Sequence, residues 1–392
     1  MPPEEVDRPR SPNGLDVPGN PAASNARYRD NKNGTTHPMP QNALNRFSWV
    51  AFLLWALRVG VVILVVWGAT ATLVSGRYSA SNWISLIVAG LAQGSIYALI
   101  ALGYSLVYGI LLMINFAHGE VFMAGAFTAY FAARALESSG YLAKHPLLTI
   151  GALLLVSMTV STVVAVLLER IAYRPLRNAP RLVPLITAIG ASFFLQYTFR
   201  GLYGSGFNSY PAFDILRGKW MVAGASIQIV QVVVFVSALL LMAALYWFVE
   251  RTKTGKSMRA VSEDKEIAAL MGIDVNRVIV ITFAIGGLLA GAAGVLRGLY
   301  QPQGISAFMG FIPGLKAFTA AVLGGIGNIP GAMLGGIFLG VFESIGPNLV
   351  LEGLGIPGAN QLRDAIAIVM LVFVLIFRPQ GILGEKLSEE KA

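Results

Sequence analysis

The chain has 392 residues, of which 55 % are apolar and only 12 % charged, and its mean hydropathy is +0.66. A soluble domain is nearer a quarter charged, and several apolar runs reach the ~20 residues that cross a hydrocarbon core, so composition excludes a soluble protein and predicts an all-α, polytopic helical membrane protein. The absence of cysteine excludes disulfides and thiolate chemistry, and the net charge of +9 is spread over loops as membrane topology requires rather than gathered into a nucleic-acid patch.

Residues 1–47 are rich in Pro, Asn, Gly, Arg and Asp and read as a disordered cytoplasmic tail. Residues 48–82 hold a first, extra transmembrane helix over Trp49–Val74, with Arg58 snorkelling from it. Apolar runs follow at Trp83–Val107 and Ile110–Ala132, joined by Tyr108-Gly109, then at Leu147–Leu168, Leu182–Tyr203, Ile227–Val249, Val278–Leu299 and Gln361–Phe377. A β-barrel would alternate polar and apolar residues, and these runs do not.

Lysine and arginine in the loops set the orientation. Loop 169–181 carries Arg170, Arg174, Arg177 and Arg181; loop 251–277 carries Arg251, Lys253, Lys256, Arg259, Lys265 and Arg277. Loops 133–146 and 204–225 carry far fewer, and 300–313 and 346–360 none. The first two are expected inside with both termini, the others outside. The glycine-crowded stretch Gly314–Ser344 must then cross an even number of times, as two short crossings or as a re-entrant hairpin, for ten spans or eight.

Two helix breaks are predicted. One lies at Ile114–Glu120, with Asn115 as N-cap and Glu120 in the first turn after it. The other is Gly324-Gly325-Ile326-Gly327-Asn328-Ile329-Pro330-Gly331. Non-helical backbone inside a membrane is tolerated only against protein or a watered cavity. The sequence Ala126-Phe127-Thr128-Ala129 recurs as Ala317-Phe318-Thr319-Ala320, which points to an internal duplication. Broken helices in corresponding halves mark the path of a repeated transporter. The path candidates are therefore Asn115, His118, Glu120, Lys316, Gly327 and Asn328. The competing reading of the first three is a satisfied polar cluster that locks helix packing. Lys316 and Glu343 are expected to snorkel from the two ends of their segment, and Arg297 to sit near a span end. The spacings Gly287/Gly291 and Gly331/Gly335 suit close helix contact.

The polar loop 251–277 is the only long charged run between spans. Glu263–Met271 favours helix, with Ser262 as cap and Gly272 as stop. Ile267, Leu270 and Met271 fall on one face, a device for touching another protein or the bilayer surface. Thr254-Gly255-Lys256-Ser257 looks like the end of a phosphate-binding loop. The glycine required five residues before Gly255 is Glu250, and no strand precedes it, so nucleotide binding is not expected. No metal cluster, nucleophile–base pair or cofactor motif is found. A transport subunit rather than an enzyme is the expectation.

Four pieces in order now resemble a known family. They are Tyr97-Ala98-Leu99 with Leu102-Gly103; Ile114–Glu120; Lys316–Gly327; and Arg378-Pro379-Gln380-Gly381-Ile382-Leu383-Gly384. Together they are similar to the permease of bacterial branched-chain amino-acid ABC importers, nearest the H-type subunit, over about residues 83–386. The resemblance implies a permease domain at 83–380 and a short cytoplasmic tail at 381–392 in the inner membrane. It implies pairing with an M-type permease, two ATPase subunits and a substrate-binding protein, with leucine, isoleucine or valine as cargo in contact with no nucleic acid. It also implies that loop 251–277 couples to the ATPases through Glu263, Asp264, Glu266, Ala268 and Gly272; Ile267 replaces the alanine usual at its position. A secondary transporter driven by an ion gradient, or a permease for urea or short amides, is the alternative.

Overall fold

The computed structural model describes residues 49–177, 179–180, 182–222 and 224–384. The expected tail at 1–47, residues 385–392 of the expected tail at 381–392, and Arg181 lie outside the described residues. The chain divides into two units, Met1–Gly60 and Val61–Ala392. The described part of the first is the opening of helix α1 (Trp49–Ser75), with Trp49, Phe52, Leu53 and Trp55 exposed.

The second unit completes α1 and continues through α2 (Ala80–Leu111), α3 (His118–Ser138), α4 (Tyr141–Lys144), α5 (Pro146–Leu168) and α6 (Leu182–Tyr203). A hairpin of β1 (Lys219–Val222) and β2 (Ala225–Gln228) precedes α7 (Ile229–Arg251). Then come α8 (Lys253–Glu263), α9 (Lys265–Leu270), α10 (Val275–Tyr300), α11 (Phe311–Gly324), α12 (Ile329–Gly346) and α13 (Arg363–Phe377). Eight helices among the described residues are long and apolar enough to cross a membrane. To these the fold adds α3, whose first turn is polar, and α11. At 14 residues α11 is only about 21 Å long, short of a ~30 Å core. The Gly314–Ser344 stretch is thus two antiparallel helices joined by the turn at 325–328.

The duplication is visible in the packing. α2, α3, α5 and α6 correspond to α10, α11, α12 and α13. α2 packs on α12 while α10 packs on α5, and α3 lies against α10 while α11 lies against α2. The corresponding helices α2 and α10 run antiparallel: Gly103 faces Gly286, and Gln301 donates to Gln93 at 3.5 Å. The two halves are therefore inverted with respect to each other, the arrangement of repeated transporters. Each crossing is built from small residues four apart, because lipid gives helices no hydrophobic reason to associate and close backbone packing must do it. Gly90 and Gly94 of α2 meet Gly340 and Gly336 of α12; Gly287 and Gly291 of α10 meet Ser161 and Ser157 of α5. In each half a serine donates across the crossing, Ser344 Oγ to Leu86 O at 2.7 Å and Ser157 Oγ to Gly291 O at 2.7 Å. Gly331 and Gly335 likewise admit α12 onto α11.

The join between the runs Trp83–Val107 and Ile110–Ala132 sits later than Tyr108-Gly109, at a non-helical stretch that overlaps the break expected at Ile114–Glu120. α2 runs through Tyr108-Gly109 and ends at Leu111, and Leu112 adopts φ 55°, the left-handed region. Residues 112–117 then run without helix to α3.

Candidate functional site

The starts of α3 and α11 meet. A Cβ on Gly119 would strike the carbonyl of Gly310, one on Gly310 would strike that of Gly119, and Gly314 packs on the same spot. This reciprocal contact relates corresponding helices of the two halves. Residues 301–310 carry no helix between α10 and α11. The counterpart of the break before α3 is therefore this segment. The glycine cluster at 324–331 is instead a tight turn between α11 and α12. There Gly325 and Gly327 take positive φ (106° and 92°), and Asn328 Oδ1 caps α12 by accepting from Gly331 N at 2.8 Å. The C-terminal segment closes on this turn: Ile382 N donates to Leu323 O, Leu383 N to Gly324 O, and Asn328 Nδ2 to Leu383 O at 3.0 Å.

Asn115 is not the N-cap of α3. The cap position is Ala117, without a side-chain bond, because Asn115 Oδ1 is taken by the Tyr173 hydroxyl at 2.8 Å. Glu120 is buried, and its Oε1 accepts from Gln196 Nε2 at 2.7 Å and Ser192 Oγ at 3.1 Å, both on α6. His118 lies edge-on to Tyr104 with ring centres 4.9 Å apart, close against Gly103. Asn115, His118 and Glu120 thus each contact a different element. Glu120 Oε2 and His118 Nε2 are buried without a hydrogen-bond partner.

Lys316 and Glu343 do not snorkel apart. Lys316 Nζ donates to Glu343 Oε1 at 2.5 Å, Asp364 Oδ1 at 2.6 Å and the Tyr97 hydroxyl at 3.2 Å. Lys316 is buried at 6 % exposure, and its ammonium reaches carboxylates of α12 and α13 within hydrogen-bond distance instead of running to an end of its segment. Arg297 is in the last turn of α10, as expected, but it turns inward beside this cluster. The predicted path residues fall into three places: the helix junction, the ion cluster and the α11–α12 turn. Sequence reasoning missed Tyr97, Ser192, Gln196 and Asp364. Asp364 had a weak signal, as an acid in the first turn of an apolar run.

Loop 251–277 holds two helices, not one. Ser262 lies inside α8, with its hydroxyl on Arg259 O. Asp264 breaks the chain and caps α9, accepting from Glu266 N at 2.8 Å and Ile267 N at 2.9 Å. A carboxylate two to three residues upstream outcompetes the serine for the free amides of a helix start. Gly272 ends the unit with φ 83°, as expected of a helix stop. On α9, Ala268 is buried while Ile267, Leu270 and Met271 are 59 %, 86 % and 78 % exposed. Gly255 needs to be glycine for packing: a Cβ there would enter the backbone of Phe248 and Val249. Arg177 bridges Glu169 at the end of α5 and Asn276 at the start of α10. The Lys265 ammonium is held below the usual lysine range, first by partial desolvation and then by the Arg177 guanidinium.

Residues 86–375 match the protein family described as branched-chain amino acid transport system / permease component. The chain is similar to BraD of Pseudomonas aeruginosa, named as a high-affinity branched-chain amino acid transport system permease protein. They share 44 % identity over 306 residues, 77 % of this chain and 96 % of that one. It is similar to LivH of Escherichia coli strain K12, which has the same descriptive name, at 41 % over 300 residues, 75 % of this chain and 93 % of that one. The probable branched-chain amino acid transport permease LivH of Methanocaldococcus jannaschii shares 26 % over 306 residues, 76 % of this chain and 92 % of that one. The family match begins after α1.

Proposed function

The chain belongs to the permease family of branched-chain amino acid transport systems, and we propose that it forms one half of the membrane path of an ATP-driven importer of leucine, isoleucine or valine. A second, M-type permease supplies the other half. Two ATPase subunits grip the inner face, and a binding protein delivers cargo outside. The chain lies in the bacterial inner membrane with both termini cytoplasmic.

The observation that carries this reading is the exposed apolar face of α9. Ile267, Leu270 and Met271 project from the most basic loop of the chain. Such a face on a short, capped helix is suited to a cleft on a partner. Glu263, Asp264 and Glu266 lie around the start of that helix, where they favour its dipole and meet basic partner groups. Ala268 anchors α9 to the rest of the chain, and Gly272 makes the turn back into α10. ATP-driven closure of the ATPases displaces α8 and α9, and α10 carries the motion to the junction of α3 and α11. There Asn115, His118 and Glu120 hold the moving helices in register. Lys316 steadies the opposite end, and Gly327 and Asn328 form the turn that the C-terminal segment clasps. ATP hydrolysis resides on the partner chains.

The test is reconstitution. Liposomes containing this chain, the second permease, both ATPases and the binding protein should take up leucine only with ATP inside. Uptake by this chain alone, driven by an ion gradient, would overturn the reading.

A further inference from the structure

The chain turns sharply where the span α7 ends and α8 begins. Thr252 is extended and caps α8: its Oγ1 accepts from Gly255 N at 3.0 Å and donates to Phe248 O at 2.6 Å. Gly255 lies against the backbone of Phe248 and Val249, so the first turn of α8 is folded tightly onto the last turn of α7. An open concavity of about 490 Å³ lies in this elbow, lined by Tyr246, Glu250, Arg251 and Lys256.

The elbow presents positive charge to solvent. Glu250 Oε2 is taken by Arg259 Nη1 at 2.9 Å, and Arg259 Nη2 also reaches Glu250 O at 3.4 Å. Arg251, Lys253 and Lys256 are exposed, and none of them forms an ion pair among the described residues. The lining thus sets two free cations beside a carboxylate that is already matched, and its field favours an anion. The acids of the same loop stand apart: Glu263 is at the far end of α8 from Lys256, about 10 Å by helical rise.

The concavity also has a lipid side. α7 is long and apolar enough to cross a membrane, and Tyr246 and Trp247 near its end are 47 % and 63 % exposed. Amphipathic rings at the end of a span sit at headgroup level. Tyr246 lies one turn before Glu250 on the same face of α7, so the site has cations at one end and an aromatic ring at the membrane boundary. Inorganic phosphate or a nucleotide would use the cations alone. A phospholipid uses both.

We propose that this elbow is a binding site for an anionic phospholipid. Arg251 and Lys256 donate to the headgroup phosphate, and the glycerol and the upper acyl chain lie along Tyr246. Lys253 strengthens the field without lining the concavity. Basic side chains beside a span raise the affinity for anionic lipid about fivefold apiece, and the fixed elbow turns that general attraction into a position. Within Thr254-Gly255-Lys256-Ser257, Gly255 closes the elbow and Lys256 meets the phosphate, with no nucleotide involved.

The purified full chain is titrated with phosphatidylglycerol in detergent, and bound lipid is counted by native mass spectrometry. Arg251→Gln with Lys256→Gln should weaken binding at least tenfold. Arg170→Gln with Arg174→Gln removes equal charge from loop 169–181 and should change it less than twofold. Equal losses in the two double variants mean diffuse attraction and overturn the site. Glycerophosphoglycerol, the same headgroup without acyl chains, should bind the wild type at least tenfold more weakly than the lipid, and Tyr246→Ala should weaken the lipid at least threefold. Equal binding of lipid and bare headgroup makes this a site for a soluble phosphate and overturns the lipid assignment. Unchanged lipid binding by the Arg251→Gln and Lys256→Gln variant, with loss of the ATPase subunits from the reconstituted complex, gives the patch to those subunits and also overturns it. If that double variant does not insert, Lys256→Gln alone decides, with an expected loss of about fivefold.

Discussion

Replacing both Leu270 and Met271 by alanine isolates the contact on which coupling depends. The two side chains are 86 % and 78 % exposed, so nearly all of their area is available to a partner. Each substitution removes three heavy atoms beyond Cβ. At ~0.8 kcal/mol per buried carbon, complete burial in a cleft makes each worth ~2.4 kcal/mol. Scaled by exposure, the losses are ~2 kcal/mol apiece, or ~30-fold in affinity for each single variant and up to ~1,000-fold for the pair. The fold should be untouched, since exposed substitutions change stability by less than ~0.5 kcal/mol and alanine is the better helix former. The assay is binding of the ATPase subunits to the permease pair in nanodiscs, with thermal unfolding measured beside it. A double variant that binds the ATPases within threefold of wild type, with unfolding unchanged, would refute the reasoning.

Three further outcomes follow from the geometry. Gly340→Ala puts a methyl into the backbone of Gly94 and should cost ~1–3 kcal/mol by overpacking. Gly151→Ala on α5 has nothing within 4 Å and should be neutral or stabilising by ~0.5–1 kcal/mol; thermal unfolding in detergent distinguishes the two. Lys316→Met strands Glu343 without its counter-charge and should destabilise by ~3–5 kcal/mol, while Lys316→Met with Glu343→Gln should recover part of the loss; equal melting of the single and double variants would count against the buried pair. Tyr78, in the loop between α1 and α2, donates to Glu352 Oε2 at 2.8 Å. Burial first, and the Glu352 carboxylate second, push its hydroxyl above the ordinary tyrosine range. Tyr78→Phe should cost ~0.5–1.5 kcal/mol at pH 7, because solvent screens a hydroxyl that is only part-buried. Because the folded state holds the proton more tightly, that advantage is complete below the unfolded value of ~10 and is lost as pH rises through the raised folded value. A difference between wild type and Tyr78→Phe that stays constant across that alkaline range would exclude the bond.

Much of the site was legible because it rests on local chemistry. The stop at Gly272 needs only a residue that tolerates positive φ, and the apolar face of Ile267, Leu270 and Met271 needs only helical spacing. The cap of α9 was misplaced because Ser262 and Asp264 compete for nearby amides, and their order along the chain does not say which wins. Asn115 was misassigned for a related reason: its partner, Tyr173, is 58 residues away.

The sequence by itself determined the membrane class, the approximate positions of the long apolar helices and the small-residue stripes. Each of these is a sum of transfer energies or a local backbone preference along one dimension. Tertiary structure alone decided which stripe meets which, that the halves are inverted, that the starts of α3 and α11 touch, and that Lys316, Glu343 and Asp364 converge beside Arg297. Lipid solvates every apolar helix face about equally, so transfer energy does not choose partners. Backbone fit and the pairing of buried charge choose them, and both exist only once helices far apart in the chain lie side by side.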